Sequence, residues 1–124
     1  MKFLCLISAE NCLDQMTEAD ALAHLDEYRV LIERLERNGN YVECRRLMPA
    51  DTAVTLRVRN NQRSVTDGPF AETKEQLGGF LLLEARNLEE AIELAADIPA
   101  AKFGSIEIRQ VAEDATMHHT LGVA

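Results

Sequence analysis

No apolar run in this 124-residue chain approaches the roughly twenty residues that a membrane-spanning helix needs. The N-terminal run Phe3-Leu4-Cys5-Leu6-Ile7 stops at Ser8 and Glu10. It is too short for the apolar region of a signal peptide and lacks a small-residue cleavage site, so neither a span nor a leader is expected. Basic residues are scarce: 13 Lys and Arg face 21 Asp and Glu, the net charge is −8, and the pI is about 4.8. With no Lys/Arg-rich stripe, this excludes nucleic acid and anionic membranes as main partners, because both reward a basic surface. The three cysteines, Cys5, Cys12 and Cys44, are odd in number and lack C-x-x-C spacing. That argues against a disulfide framework or a zinc site and fits reduced thiols in a cytoplasmic protein. There is no phosphate loop, no G-x-G-x-x-G and no defensible Ser/His/Asp order. His118-His119 invites a metal reading, but adjacent histidines point apart on any regular element and no third ligand lies nearby. The reading therefore calls for no metal and no cofactor.

What remains is one ordinary globular domain over residues 1–124, with 47% hydrophobic and 27% charged residues. Residues 2–8 (K-F-L-C-L-I-S) read as a strand apolar on both faces, and 9–16 as a loop. Thr17 caps a helix with Asp20 at the third position. Ala21, Leu22, Leu25, Tyr28, Leu31, Ile32 and Leu35 form its apolar stripe, and Asn38-Gly39 stops it. Strands follow over 41–47, 53–59 and 63–66, the last two joined by Asn60-Asn61-Gln62 with hairpin chemistry. After a corner, 79–85 is a fifth strand. Asn87 caps a second helix with Glu90 at its third position; Leu88, Ala91, Ile92 and Ala95 are its inner stripe and Pro99 ends it. Residues 105–111 alternate as the last strand, and 112–124 read as a tail. This order predicts an α+β fold of the ferredoxin-like βαββαβ kind with an extra hairpin, one antiparallel sheet carrying two helices on one face.

The corner is the most distinctive stretch. Asp67-Gly68 is a turn dipeptide, and Pro69 sends the chain out of it extended. Thr73 with Gln76 reads as a capping box, and Gly78-Gly79 as the cap closing a single helical turn. Structurally this is a bend between two strands; functionally, Asp67, Glu72 and Thr73 would present polar groups at the mouth of a pocket. Free amides after Thr73 are a further anion-binding candidate, with Glu75 already complementing that dipole. The string D-G-P-F-A-E-T-K-E-Q-L-G-G-F resembles the signature of the DGPF family within the YCII-related proteins. The likeness extends to M-K-F-L-C-L-I at the start, L-R-V-R before the signature and P-A-A-K-F-G-S-I-E-I-R-Q-V near the end. The resemblance implies a dimeric α+β barrel. It also implies two functional directions: elimination chemistry by a His–Asp pair, similar to muconolactone-type or dehydrochlorinase reactions, or association with an alternative sigma factor.

Two helices cover one side of a sheet, and alternation says what lies on the other. If Val54, Leu56 and Val58 pack inward with Ile106, Ile108, Leu81 and Leu83, the opposite face carries Arg57, Arg59, Arg109, Glu84, Glu107, Phe80 and Leu82. Such a face is either solvated or buried by a second copy stacked sheet on sheet, the homodimer. Three arginines against two glutamates there would suit a small carboxylate, or would close an internal ion-pair network. For chemistry, Asp20, His24 and Tyr28 share one helical face at spacings of four. An Asp–His pair would raise the histidine pKa and make a general acid or base; a core-edge histidine is the structural alternative. The expected site is thus His24 with Asp20 or Asp67 as the acid–base group. Arg57, Arg59, Arg109, Glu84, Phe70 and Thr73 would contact substrate. The two readings are a cofactor-free lyase or isomerase acting on a small anion, and a binding or regulatory module partnering a sigma factor.

Overall fold

The computed structural model describes residues 1–10 and 16–113, leaving Cys12, His118-His119 and the tail from 114 outside the described residues. Strand β1 (Lys2–Ala9) is central because its alternation is apolar on both faces: Phe3, Cys5, Ile7 and Ala9 are buried, while Leu4 and Leu6 point the other way and are half-buried. Helix α1 (Glu18–Arg37) starts at Thr17, whose hydroxyl accepts the Asp20 amide at 3.1 Å. It stops at Asn38, and Gly39 adopts φ +78, where a side chain would be strained. Then come β2 (Tyr41–Arg46), β3 (Val54–Arg59), β4 (Gln62–Asp67), β5 (Gln76–Glu84), α2 (Leu88–Ala95) and β6 (Ser105–Gln110). A short 3₁₀ turn precedes β3 and another, Pro99–Lys102, precedes β6.

Four strands form one fully antiparallel sheet in the order β2-β5-β1-β6. This is the expected ferredoxin-like architecture, with both helices on one side. Leu31 and Leu35 of α1 pack with Cys5, Ile7, Leu81 and Leu83, together with Ala95, Ile98 and Ala100. Phe3, Ala85 and Ala91 form a second cluster beside it. The helical stripes are narrower than the periodicity predicts. Leu22 and Leu25 of α1 are exposed because only the last half of that helix lies over the sheet core. In α2 it is Ala91 and Ala95, with Leu94, that face inward, while Leu88 and Ile92 stay exposed. Small alanines let this short helix approach the sheet closely.

Two expectations are corrected. First, the extra hairpin does not extend the main sheet: β3 and β4 pair only with each other. Proline and the following 3₁₀ turn, closed by the Thr52 and Ala53 amides on Pro49 and Ala50 carbonyls, take the chain off the β2 line. Asn60 and Asn61, at φ 52 and 61, then make the two-residue turn that matches strand twist. Second, no helical turn follows Thr73. Its hydroxyl donates to the Glu75 carbonyl, and the Gln76 side-chain amide donates to the Thr73 carbonyl, which ties these residues into a bend. A lone helical turn is an unfavourable nucleus, and the chain instead gains ladder bonds to β1 and β2 from Gln76 onward. Gly78-Gly79 is accordingly strand, not cap. The pairing of β1 with β5 shifts between Ile7 and Ser8, leaving Gly78 as the extra residue of a bulge. A Cβ on Gly79 would sit 2.6 Å from the Arg45 carbonyl oxygen, so close strand approach is what requires glycine there.

Candidate functional site

The helix-free face of the four-stranded sheet is built from two rows of directly paired residues. One row runs Glu43, Leu82, Leu4, Arg109; the next runs Arg45, Phe80, Leu6, Glu107. The four central side chains are apolar and half-buried although no element of the described residues lies over them. The bulge at Gly78 adds Leu77 to the same face, opposite Ser8, where unbroken alternation would have turned it inward. Charges occupy the two edge strands: Arg45 pairs with Glu43 at 3.2 Å and Arg109 with Glu107 at 3.6 Å. All four side chains are 45% or more exposed, so these pairs contribute little to stability and their arginines are free to re-pair. Glu84 extends the face beyond Leu82, paired with the chain's amino group at 3.6 Å.

Arg109, Glu84, Glu107, Phe80 and Leu82 therefore come together as the alternation predicts. Arg57 and Arg59 do not join them within one chain. They lie on the separate hairpin, exposed, with Arg59 donating to the Val58 carbonyl at 3.0 Å. Their places are taken by Glu43 and Arg45 of β2. Sequence reasoning missed these two because β2 pairing shifts between Tyr41 and Glu43, and simple alternation cannot show which side of that irregularity a residue faces.

The hairpin base accounts for the D-G-P turn. Gly68, at φ +94, donates its amide to the Ala53 carbonyl at 2.7 Å, and the Thr55 hydroxyl donates to the Gly68 carbonyl at 2.8 Å. Asp67 is the last residue of β4, paired with Val54 and exposed. Phe70 is 82% exposed, and Glu72 and Thr73 are exposed on the loop returning to β5. Glu75 accepts from the Ser105 hydroxyl at 2.5 Å, tying that loop to the start of β6.

His24 lies on α1, hence on the helix side of the sheet and away from Arg109. Its ring meets Tyr28 edge-on at 5.1 Å and Phe103 at 5.6 Å. Burial against these rings lowers its pKa, with Glu27 opposing and Lys102 reinforcing that shift. The expected Asp–His pair is not made: among the described residues the charges acting on His24 are Glu27 and Lys102, joined to each other at 3.3 Å. Asp20 instead serves the helix start, its amide bound by Thr17. A partnered histidine would titrate high, whereas His24 titrates low and is neutral at pH 7. The two described thiols are poor nucleophiles: burial pushes Cys5 up to about 11 and raises Cys44, against a smaller opposing effect of Arg45. Among the described residues no three His, Cys, Asp or Glu side chains gather as a metal-ligand set, and no helix is long and apolar enough to cross a membrane.

A βαββαβ sheet with helices on one side and a bare, charge-rimmed apolar face on the other defines a ferredoxin-like α+β protein. The YCII-related domain matches residues 1–114, and the chain belongs to the YCII-related family. It is 36% identical over 115 residues to an uncharacterised protein of Rhizobium meliloti (strain 1021), a match covering 86% of this chain and 93% of that protein. Its fold is similar to that of 5-chloro-2-hydroxyhydroquinone dehydrochlorinase from Burkholderia phenoliruptrix AC1100, solved in complex with 2,5-dihydroxybenzoquinone. That likeness has a TM-score of 0.50 at 15% identity and covers 94% of this chain and 98% of the other.

Proposed function

We propose that this protein is a cytoplasmic homodimer of the DGPF branch of the family, assembled through the bare sheet face, and that it binds a small organic anion there. One observation carries the dimer: the face is self-complementary in charge. Across its two rows, Glu43 and Arg109 are at opposite ends of one, and Arg45 and Glu107 at opposite ends of the other. Stack a second copy on it about a two-fold axis along the strands, and Glu43 faces Arg109 of the partner subunit while Arg45 faces Glu107 of the partner subunit. Turn the axis across the strands, and Glu43 faces Arg45 of the partner subunit. Either way unlike charges meet and the apolar centres cover each other.

Arg45 and Arg109 at the rim of that apolar centre suit a flat anion, an apolar body with a carboxylate or enolate at its edge. The fold likeness to a dehydrochlorinase holding a dihydroxybenzoquinone supports the same ligand class. Acid–base chemistry of the lyase or isomerase kind would need a base other than His24 of the same chain, which is neutral at pH 7 but lies on the helix side, across the sheet from a ligand at this face. No cofactor enters this reading.

The test is a thermal-shift screen with hydroxybenzoates and dihydroxybenzoquinones on wild type, Arg45→Ala and Arg109→Ala. Ligand at a hundred times its Kd stabilises by about 2.7 kcal/mol, a rise of several degrees. The reading expects that rise in wild type and its loss in both variants. A rise that survives both substitutions contradicts the arginine rim. A panel without any stabilising acid leaves the regulatory reading, a module paired with an alternative sigma factor, in its place.

A further inference from the structure

Among the described residues the β3–β4 hairpin pairs with no strand but its own two. It is a two-stranded ribbon, a unit that is marginal in water by itself. One of its faces carries Val54, Leu56, Val58 and Val65, and these are 64%, 58%, 53% and 64% exposed. Four bare aliphatic side chains on adjoining strands are a patch that a monomer would hide. We propose that the hairpin is an intersubunit arm: in the dimer inferred above, on which this proposal rests, its aliphatic face docks on the second copy of the chain.

Two arguments select a second copy as the occupant. The first is area. Four strands about 4.8 Å apart, and six residues long at about 3.3 Å each, give the bare sheet face a footprint on the order of 400 Å². A stable interface takes about 800 Å² from each partner. Even allowing for the relief of its side chains the sheet face alone makes a small interface, and a two-stranded ribbon of six residues laid across the partner enlarges it. The second is charge. The hairpin tip gathers Arg57, Arg59 and Arg63, and the two strands hold one acid, Asp67, in a chain whose net charge is −8. The rest of the surface is thus more acidic than the total shows, and this cation-rich projection is matched to it. Arg63, opposite Val58, shares the docked face, whereas Arg57 and Arg59 alternate onto the outer face of the ribbon and stay away from a ligand at the interface.

Mixed dimers of methyl-labelled and unlabelled chains, read by isotope-filtered NOEs, test the arm directly. It predicts contacts between copies at the methyls of Leu56, Val58 and Val65. It also predicts that Leu56→Asp combined with Val65→Asp weakens dimerisation at least tenfold in sedimentation, with an unchanged far-UV spectrum because both side chains are exposed in the single chain. NOEs between copies at Leu4, Leu6 and Leu82 with none from the hairpin, and a dimer indifferent to the two substitutions, would overturn the arm and leave the two-fold assembly intact. A chain that sediments as a monomer removes the assembly and the arm together.

Discussion

His24 shows how one side chain's surroundings decide what it can do. Desolvation by Tyr28 and Phe103 acts on it more strongly than the charges nearby, and the result is a lowered pKa. The linkage follows in sign. Below the ordinary value of 6.5 the unfolded chain binds a proton that the folded one resists, so this contribution to stability is full above pH 6.5 and is lost as pH falls through the lowered value. His24→Asn should therefore lose less melting temperature than wild type between pH 7.5 and 5.5, and the His24 ring should titrate below 6.5 by NMR. A ring titrating above 6.5 would restore the Asp20 pairing. Gly104 is a steric case: a Cβ there would lie 2.3 Å from the Ser8 carbonyl oxygen and 2.8 Å from the Ala9 Cβ. Gly104→Ala should destabilise by about 1–3 kcal/mol, the usual range for overpacking, in denaturant titrations.

At the scale of elements, the two helices start by the same device but rest on different support. Asn87 accepts the Glu90 amide at 2.9 Å, and Glu90 reaches back to the Arg86 amide at 3.1 Å and its guanidinium at 2.6 Å. Helix α2 lies against the sheet from its first turn through Ala91, so Asn87→Ala should cost about 1 kcal/mol of global stability. Thr17→Ala should cost less, and act as local fraying, because the start of α1 carries exposed Leu22 and Leu25; amide exchange over 18–24 would separate the two outcomes. The elements themselves could be read from the chain because caps, turn dipeptides and periodicity are local signals. Thr17, Asn38-Gly39, Asn60-Asn61 and Asn87 mark ends that the fold uses. Several of the failures are places where a long-range ladder overrules local chemistry. Thr73 and Gly78-Gly79 carry good helix-end residues, yet pairing to β1 and β2 makes that stretch a strand. The irregularities at Val42 and Gly78 depend on partner strands, and they decide that Glu43, Arg45 and Leu77 share the face with Arg109. His24 was visible as a candidate, but its neighbour Phe103 comes from 79 residues further along the chain, and no spacing rule reports that.

For the whole molecule, the question is what covers the second side of the sheet. One side is closed by Leu31, Leu35, Ala91 and Ala95. The other presents Leu4, Leu6, Leu77, Phe80 and Leu82 between edge strands whose charges repeat with opposite sign. A solvated sheet face is ordinarily polar, and this one is polar only at its margins. Ligand, arginine rim and hairpin arm all depend on a second copy being there. Sedimentation equilibrium at micromolar concentration, on wild type and on Leu6→Arg, measures that dependence most directly. Wild type should sediment at twice the 13.9 kDa chain mass and Leu6→Arg as a folded 13.9 kDa species. Wild type at 13.9 kDa, or a dimer that Leu6→Arg leaves intact, would contradict the two-fold assembly.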